Sequence, residues 1–451
     1  MAEKRLFGKK IIDKEIFFGK FLVGGEREKY ALTASSSINC DCADGTIARG
    51  VGMESYTVND AAVTLSPTLQ ARFFITLEKD DGGEKKETIG YITHKNAAYV
   101  YDETQGTFYN IGTLQGGGVM TPAIDKNGDF KTLFACKTGA YRLEQKRLLQ
   151  CTDAACQTAI CFYGGRVFIA TRDFWVLYSA PYAPTDFTEN ADDSGMIALR
   201  NDCGKIVGLL GLKNRLCVLY EYGISMITLD GSARSFERKD VVYNGGKIFG
   251  ETACVANVGG EKAYFLAEDG VYRFDGVKLE KTCKNVTISA TKNYSCGRAI
   301  AEGKYFVTYT DKDGVWRTLA VDLETGKGDE TFVMNGLYSW NGKTLFGKDG
   351  VLYKIVKYGD LPTGEKAEFT VEKTDFSVRG SKTLKALRFC GEGSFDLTVT
   401  GGKKTKRISV LFEGGLARVP LAIRATDFTI AIEPHAGVKI RNMTAELQTL
   451  E

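Results

Sequence analysis

The chain has 451 residues, 25% charged and 43% hydrophobic, with a formal charge of +3. That balance excludes a disordered chain and provides no global field to draw in a nucleic acid or a membrane surface. The first twenty residues interleave charges with apolar residues instead of forming a secretion signal, and no apolar run reaches 18 residues; the expectation is a chain made in a cytosol, without a membrane anchor.

Residues 1–70 alternate poorly and include the small-residue stretch Thr33 to Asn39 followed by Cys40-Asp41-Cys42. They are expected either to close a ring of sheets by lending a strand or to form an arm that grips a neighbour. From residue 71 onward the pattern sharpens into runs of four to six β-branched and aromatic residues bounded by Gly, Asn or Asp: 98–101, 166–170, 215–220, 263–266 and 304–308. Such runs read as strands, and no long amphipathic helix interrupts them.

The runs also recur as a unit. With Tyr99, Tyr141, Trp175, Ile224, Val271, Leu319 and Leu352 as markers, successive units lie 33 to 49 residues apart. The mean falls near the roughly 40–45 residues of a four-stranded propeller blade. A lone blade cannot bury its own faces, whereas a ring packs each blade between two neighbours. The expectation is an all-β chain: a six- or seven-bladed β-propeller over residues 71–362, preferred over a pair of β-sandwiches. After Asp360-Leu361-Pro362 the unit disappears, and residues 363–451 read as a C-terminal β-sandwich-like domain. Within that domain Lys403, Lys404, Lys406 and Arg407 follow Gly401-Gly402, as at a hairpin tip. Two readings of this cluster stand: a solvated turn, or a patch for an anionic partner.

Motifs of chemistry are sparse. The two histidines, His94 and His435, lie far apart in sequence and neither adjoins an activated nucleophile signature. The twelve cysteines lack the close Cys-x-x-Cys pairs that wrap zinc, and most sit in apolar runs as small hydrophobes, so free buried thiols are expected. Gly336 and Gly342-Lys343-Thr344 miss the phosphate-loop spacing, and Asp125-Lys126-Asn127-Gly128-Asp129 begins like a calcium loop without completing one. No enzyme activity, metal or cofactor is expected.

One loop stands out. After the run at 166–170 come Tyr178-Ser179-Ala180-Pro181 and then Pro184-Thr185-Asp186-Phe187, which hold two of the chain's seven prolines. A strand entering such a loop, the segment from Gly204 to Glu251 and the closing strand "GVKIRNMTAELQTLE" together resemble propeller-type tail proteins of short-tailed bacteriophages, the nozzle and packaged-DNA stabilization proteins. The resemblance spans about residues 90 to 451 and rests on the order of elements, with no invariant catalytic motif.

It implies a virion structural protein: a ring of identical subunits, hexameric in that family, below the portal and its adaptor. Such a ring narrows the exit channel, and packaged DNA passes it without sequence-specific binding. One departure is the slightly basic charge, where a channel for DNA would present acidic or neutral residues. Under this reading residues Tyr178, Pro181, Tyr182, Pro184, Asp186 and Phe187 form a contact loop, stiffened by its prolines, with Tyr178, Tyr182 and Phe187 as rigid contact residues; the other reading is that Pro181 and Pro184 simply end a strand and Asp186 caps a turn. The alternative is a monomeric propeller that binds a glycan or peptide ligand at its central funnel.

Overall fold

The computed structural model describes residues 5–6, 9–23, 30–66, 69–79, 85–116, 118–154, 156–188, 194–228, 236–291, 297–340, 342–357 and 359–450. Among these there is no helix. Seven four-stranded antiparallel units follow one another around a ring. Blade 1 is built from Ala71–Lys79, Lys85–Thr93, Ala97–Asp102 and Thr107–Thr113, and blades 2 to 5 repeat the meander through residues 119–152, 156–198, 206–241 and 248–281. Blade 6 spans 290–331, with the short strand Ala290–Thr291 pairing beside Gly297–Ala301 on the blade's second strand. The chain is therefore a seven-bladed β-propeller.

Blade 7 is assembled from both ends of the ring. Asn335–Trp340, Lys343–Lys348 and Val351–Val356 supply three strands, and Gly52–Ser55, from before blade 1, supplies the fourth. Its register pairs Tyr353 with Ser55 and Val356 with Gly52. Of the two roles open for the N-terminal region, ring closure is the one this strand performs. The remaining early strands join the C-terminal domain: Lys9–Phe18 pairs along Lys439–Leu450, Ser36–Ile38 pairs with Glu368–Thr374, and Ile47–Arg49 also meets Lys439–Leu450. The domain is a two-sheet sandwich built from 368–450 and these early strands, so its boundary is not a single point near residue 363.

Burial follows from the ring. Each second strand is sandwiched between two neighbouring blades, and 133–136, 167–170 and 216–219 are wholly buried. Both faces are thus apolar, and the alternation read in these runs is in fact a continuous hydrophobic core, as in any strand covered on both sides. A separate apolar cluster fills the interfaces around the ring, for example Leu133, Ile160, Val167 and Leu177 between blades 2 and 3, and Leu219, Ile248, Phe265 and Phe274 between blades 4 and 5. The sandwich has its own core, in which Phe21, Leu32 and Ile47 pack with Phe369, Phe389, Phe395 and Ile432.

Asn39 fastens the two bodies. It is buried and holds φ at +47°, a left-handed conformation that asparagine tolerates better than most residues. Its N–H donates to Glu330 O on blade 6 at 2.5 Å, and its carbonyl accepts from Gly50 N at 2.7 Å. Its side chain accepts from Thr331 Oγ1 at 2.9 Å and donates to Val51 O at 3.0 Å. One residue thereby ties the sandwich strand Ser36–Ile38 to blade 6 and to the segment that leads into the ring-closing strand.

Two substitutions test this construction. Asn39→Ala removes two buried side-chain hydrogen bonds and leaves an unfavourable φ, and should cost about 3 kcal/mol. Gly250→Ala, which would set a methyl group 1.7 Å from the carbonyl oxygen of Val207 on the neighbouring blade, should cost about 3 kcal/mol. Both should lower the thermal midpoint measured by scanning calorimetry, and an unchanged midpoint for either would show that its contact is dispensable.

Candidate functional site

A propeller offers its axis first. The innermost strand of each blade touches the next in a closed circuit, and the approach is close. A Cβ at Gly250 would lie 1.7 Å from the carbonyl oxygen of Val207 on blade 4, and one at Gly336, where φ is +62°, would lie 2.3 Å from that of Ala71 on blade 1. Backbone packs on backbone, and only glycine permits it. What remains on the axis is a cavity of ≈ 80 Å³.

The walls of that cavity mix apolar residues, including Met120, Ile160, Leu209 and Leu337, with polar backbone and the charged side chains of Arg72, Glu251 and Arg298. Arg298 donates to Glu251 O at 3.0 Å. The Tyr338 hydroxyl lies 3.2 Å from Met120 Sδ, and burial pushes its phenol up. Burial likewise pushes the Cys254 thiol up to about 12. Neither group is poised to lose a proton near neutrality. The three charged axial residues, Arg72, Glu251 and Arg298, were not legible in sequence, because each comes from a different blade and only the closed ring brings them together. The signal available was a Gly followed by a charge at the start of two inner strands, Gly250-Glu251 and Gly297-Arg298.

The loop after blade 3's third strand is a tightly bonded turn. Val167 N donates to Ser179 Oγ at 3.0 Å, Arg166 Nη1 to Ser179 O at 2.8 Å, Ala180 N to Asp186 O at 3.0 Å and Tyr182 N to Gly165 O at 2.7 Å. Asp186 Oδ1 accepts from Thr188 N at 3.0 Å, which is the turn-capping role expected of it. The six residues singled out divide by exposure. Pro181, Tyr182 and Asp186 face solvent, Pro184 is buried, and Phe187 is half-buried against the cluster between blades 2 and 3. Tyr178 is buried too, stacked edge-on to Phe236 at 5.5 Å with the Arg166 guanidinium over its ring. Tyr178 and Pro184 are therefore corrected from surface contacts to core residues. Tyr178 lies in the interior because it ends a strand flanked by two blades.

Lys403, Lys404, Lys406 and Arg407 are all exposed, at the tip and along the first half of the strand Lys404–Leu411. That strand is the outer edge of its sheet, paired with Ser394–Gly401. Arg407 pairs with Glu433 at 2.9 Å. Lysines on an exposed edge also discourage pairing with another chain.

One arrangement was not visible in sequence. Ser394 Oγ lies 3.0 Å from His435 Nδ1, and His435 Nε2 lies 3.6 Å from Asp396 Oδ2. Ser394 and Asp396 share one strand and His435 directly follows the end of the next, brought alongside because Phe395 pairs with Pro434. The geometry does not serve acyl transfer: His435 is 46% exposed, its distance to Asp396 is too long for a firm hydrogen bond, and Ser409 donates to the same carboxylate at 2.6 Å. Among the described residues no group of three His, Cys, Asp or Glu side chains is placed to hold a metal ion, and ten of the cysteines, among them Cys40, Cys42 and Cys283, carry free thiols.

No family model matches the chain, and no curated protein matches it. Solved structures that it resembles include the computationally designed Ika8 protein, at 14% identity over 75% of this chain and 100% of that one, with a TM-score of 0.41. Another is the extracellular domain of the putative one component system BT4673 from B. thetaiotaomicron, at 10% identity over 94% of this chain and 64% of that one, TM-score 0.44. A third is BBS1N in complex with ARL6DN, at 11% identity over 71% and 85%, TM-score 0.37. These likenesses are distant and say nothing of function; the propeller assignment rests on the strand pairing itself.

The division of the loop is open to direct test. Tyr178→Ala should destabilise by about 3–5 kcal/mol, as for any large buried aromatic, whereas Tyr182→Ala should stay within about 1 kcal/mol. Urea midpoints of the two variants check this, and equal losses would mean that Tyr182 is also part of the core.

Proposed function

We propose that the chain is a structural assembly subunit with no catalytic role: a component of a bacteriophage tail or head-to-tail connector that acts in a homo-oligomeric ring. The observation that carries this reading is the closed axis. A propeller that binds a glycan or peptide does so in its central funnel, and ligand pockets run to roughly 300–1,000 Å³. Here the corresponding space is ≈ 80 Å³ and is bounded by the backbone of the inner strands. A monomeric ligand-binding propeller is the weaker reading for that reason.

The resemblance of the Tyr178–Phe187 loop and its surroundings to phage tail propellers adds direction. In this reading the DNA channel lies between subunits, because an axis this narrow passes no duplex. The exposed part of the loop, Pro181, Tyr182 and Asp186, and the basic hairpin at 403–407 are surfaces for neighbouring subunits or for portal and adaptor proteins. A closed ring needs two different complementary patches on each copy. The site of action is the virion tail, after synthesis in the bacterial cytoplasm.

Light scattering across a concentration series, alone and with neighbouring gene products, tests the reading. A closed ring is expected, and Tyr182→Ala, which spares stability, should weaken it. A strict monomer under every condition, together with calorimetric binding of a glycan or peptide, would overturn the proposal in favour of the ligand-binding propeller.

A further inference from the structure

The joint between propeller and sandwich sets two carboxylates, buried Asp329 and half-buried Asp41, beside one buried lysine, Lys304. Lys304, on the second strand of blade 6, is 7% exposed and its Nζ pairs with Asp41 Oδ2 at 3.0 Å. Asp329, on the outer strand of the same blade, is also 7% exposed, and its Oδ1 has no hydrogen-bond partner among the described residues. Lys304 thus faces two carboxylates, and half-buried Asp41 holds it in an ion pair. An acid in this position is forced toward its neutral form both by lost hydration and by the competing carboxylate.

Other charged and titratable groups around Asp329 are few. On its own strand lie Lys327, whose Nζ donates to Ala43 O at 3.3 Å, and Glu330, which is paired with Arg317 at 2.9 Å. From the N-terminal segment come Asp41, the N–H of Cys42 and the thiols of Cys40 and Cys42, and from the loop after blade 5 comes the thiol of Cys283. Burial pushes the three thiols up, so they stay neutral and add no further negative charge beside Asp329. The small cavity beside Asp329 is lined by Asn39, Cys40, Gly50, Val51 and Thr331, the segments that fasten the two bodies. Asp329 also directly precedes Glu330, whose carbonyl accepts from Asn39 N.

We propose that Asp329 is a protonation latch between propeller and sandwich: neutral, it lets the N-terminal segment seat against blade 6; ionised, it loosens that seat.

Burial, opposed by Lys304 and reinforced by Asp41, brings its carboxyl up to about 7 from an ordinary 3.8. The folded state therefore holds a proton that the unfolded chain has lost between about pH 4 and pH 7. The stability contributed by Asp329 falls as pH rises through that window and is flat above it. The latch is shut in mild acid and slack above neutrality.

The test uses the full chain and two variants. Thermal midpoints are recorded from pH 5 to 8.5 for wild type, Asp329→Asn and Asp41→Asn. In parallel, a thiol reagent is applied at fixed pH 8, with labelling at Cys40 and Cys42 located by peptide mass mapping. Asp329→Asn, which imitates the neutral acid, should raise the midpoint at pH 8 but not at pH 5, and should slow labelling of the two cysteines by about tenfold or more. Asp41→Asn frees Lys304 for Asp329, so the wild-type fall in stability should move to lower pH. Parallel pH profiles for wild type and Asp329→Asn would overturn the latch. So would equal destabilisation by Asp329→Asn at every pH, which would make the carboxylate a plain structural acceptor. If Asp329→Asn does not fold, the Asp41→Asn profile decides, and an unmoved fall overturns the proposal.

Discussion

Everything in this molecule depends on closing a ring. A blade with two apolar faces has no stable existence in water, and each of the seven is covered only because the next one is present. Ring closure therefore sets the fold more than any single blade does. The closing contact is the pairing of Gly52–Ser55 with Val351–Val356, which joins strands from distant parts of the chain. The loop it closes is long, but loop entropy grows only logarithmically with length, while the pairing completes the last interface of the ring.

A tight ring also has a price on its axis. Seven inner strands converge until backbone meets backbone, and glycines such as Gly250 and Gly336 are what allow the convergence. The closeness that buries the inner strands leaves only a small axial cavity, with Arg72, Glu251 and Arg298 on its wall. A wider funnel would require side chains in place of these glycines and a looser inner circuit. Packing and access are thus coupled at the axis: the contacts that hold the inner strands together are the same ones that leave little open space between them.

The sequence disclosed the repeat well and the ends poorly. All seven residues used as markers, from Tyr99 to Leu352, fall on the third strand of seven successive blades. That strand keeps a constant place between a Gly- or Asp-bearing turn and the outer edge, so its pattern recurs. The N-terminal region gave no such signal, because its strands are short and their partners lie hundreds of residues away; neither Gly52–Ser55 nor Ser36–Ile38 can be recognised without its neighbour. Tyr178 was legible as a strand end but not as buried, since burial there comes from Phe236 on the next blade. Ser394, His435 and Asp396 were invisible for the same reason, being brought together by cross-strand register alone.

The N-terminal region links these observations mechanically. Within a short span the chain contributes Ser36–Ile38 to the sandwich, turns at Asn39, and then delivers Gly52–Ser55 to blade 7. Strain at the turn is therefore felt in both bodies at once: a displaced Asn39 loosens the sandwich edge from blade 6 and pulls on the strand that closes the ring. Two domains joined by a plain linker would unfold independently, whereas these share a segment whose hydrogen bonds each needs. Their opening is expected to be cooperative, with the joint as the least stable common element. An ionisable residue placed there, as Asp329 is, acts on a point from which a local change in charge reaches the whole molecule.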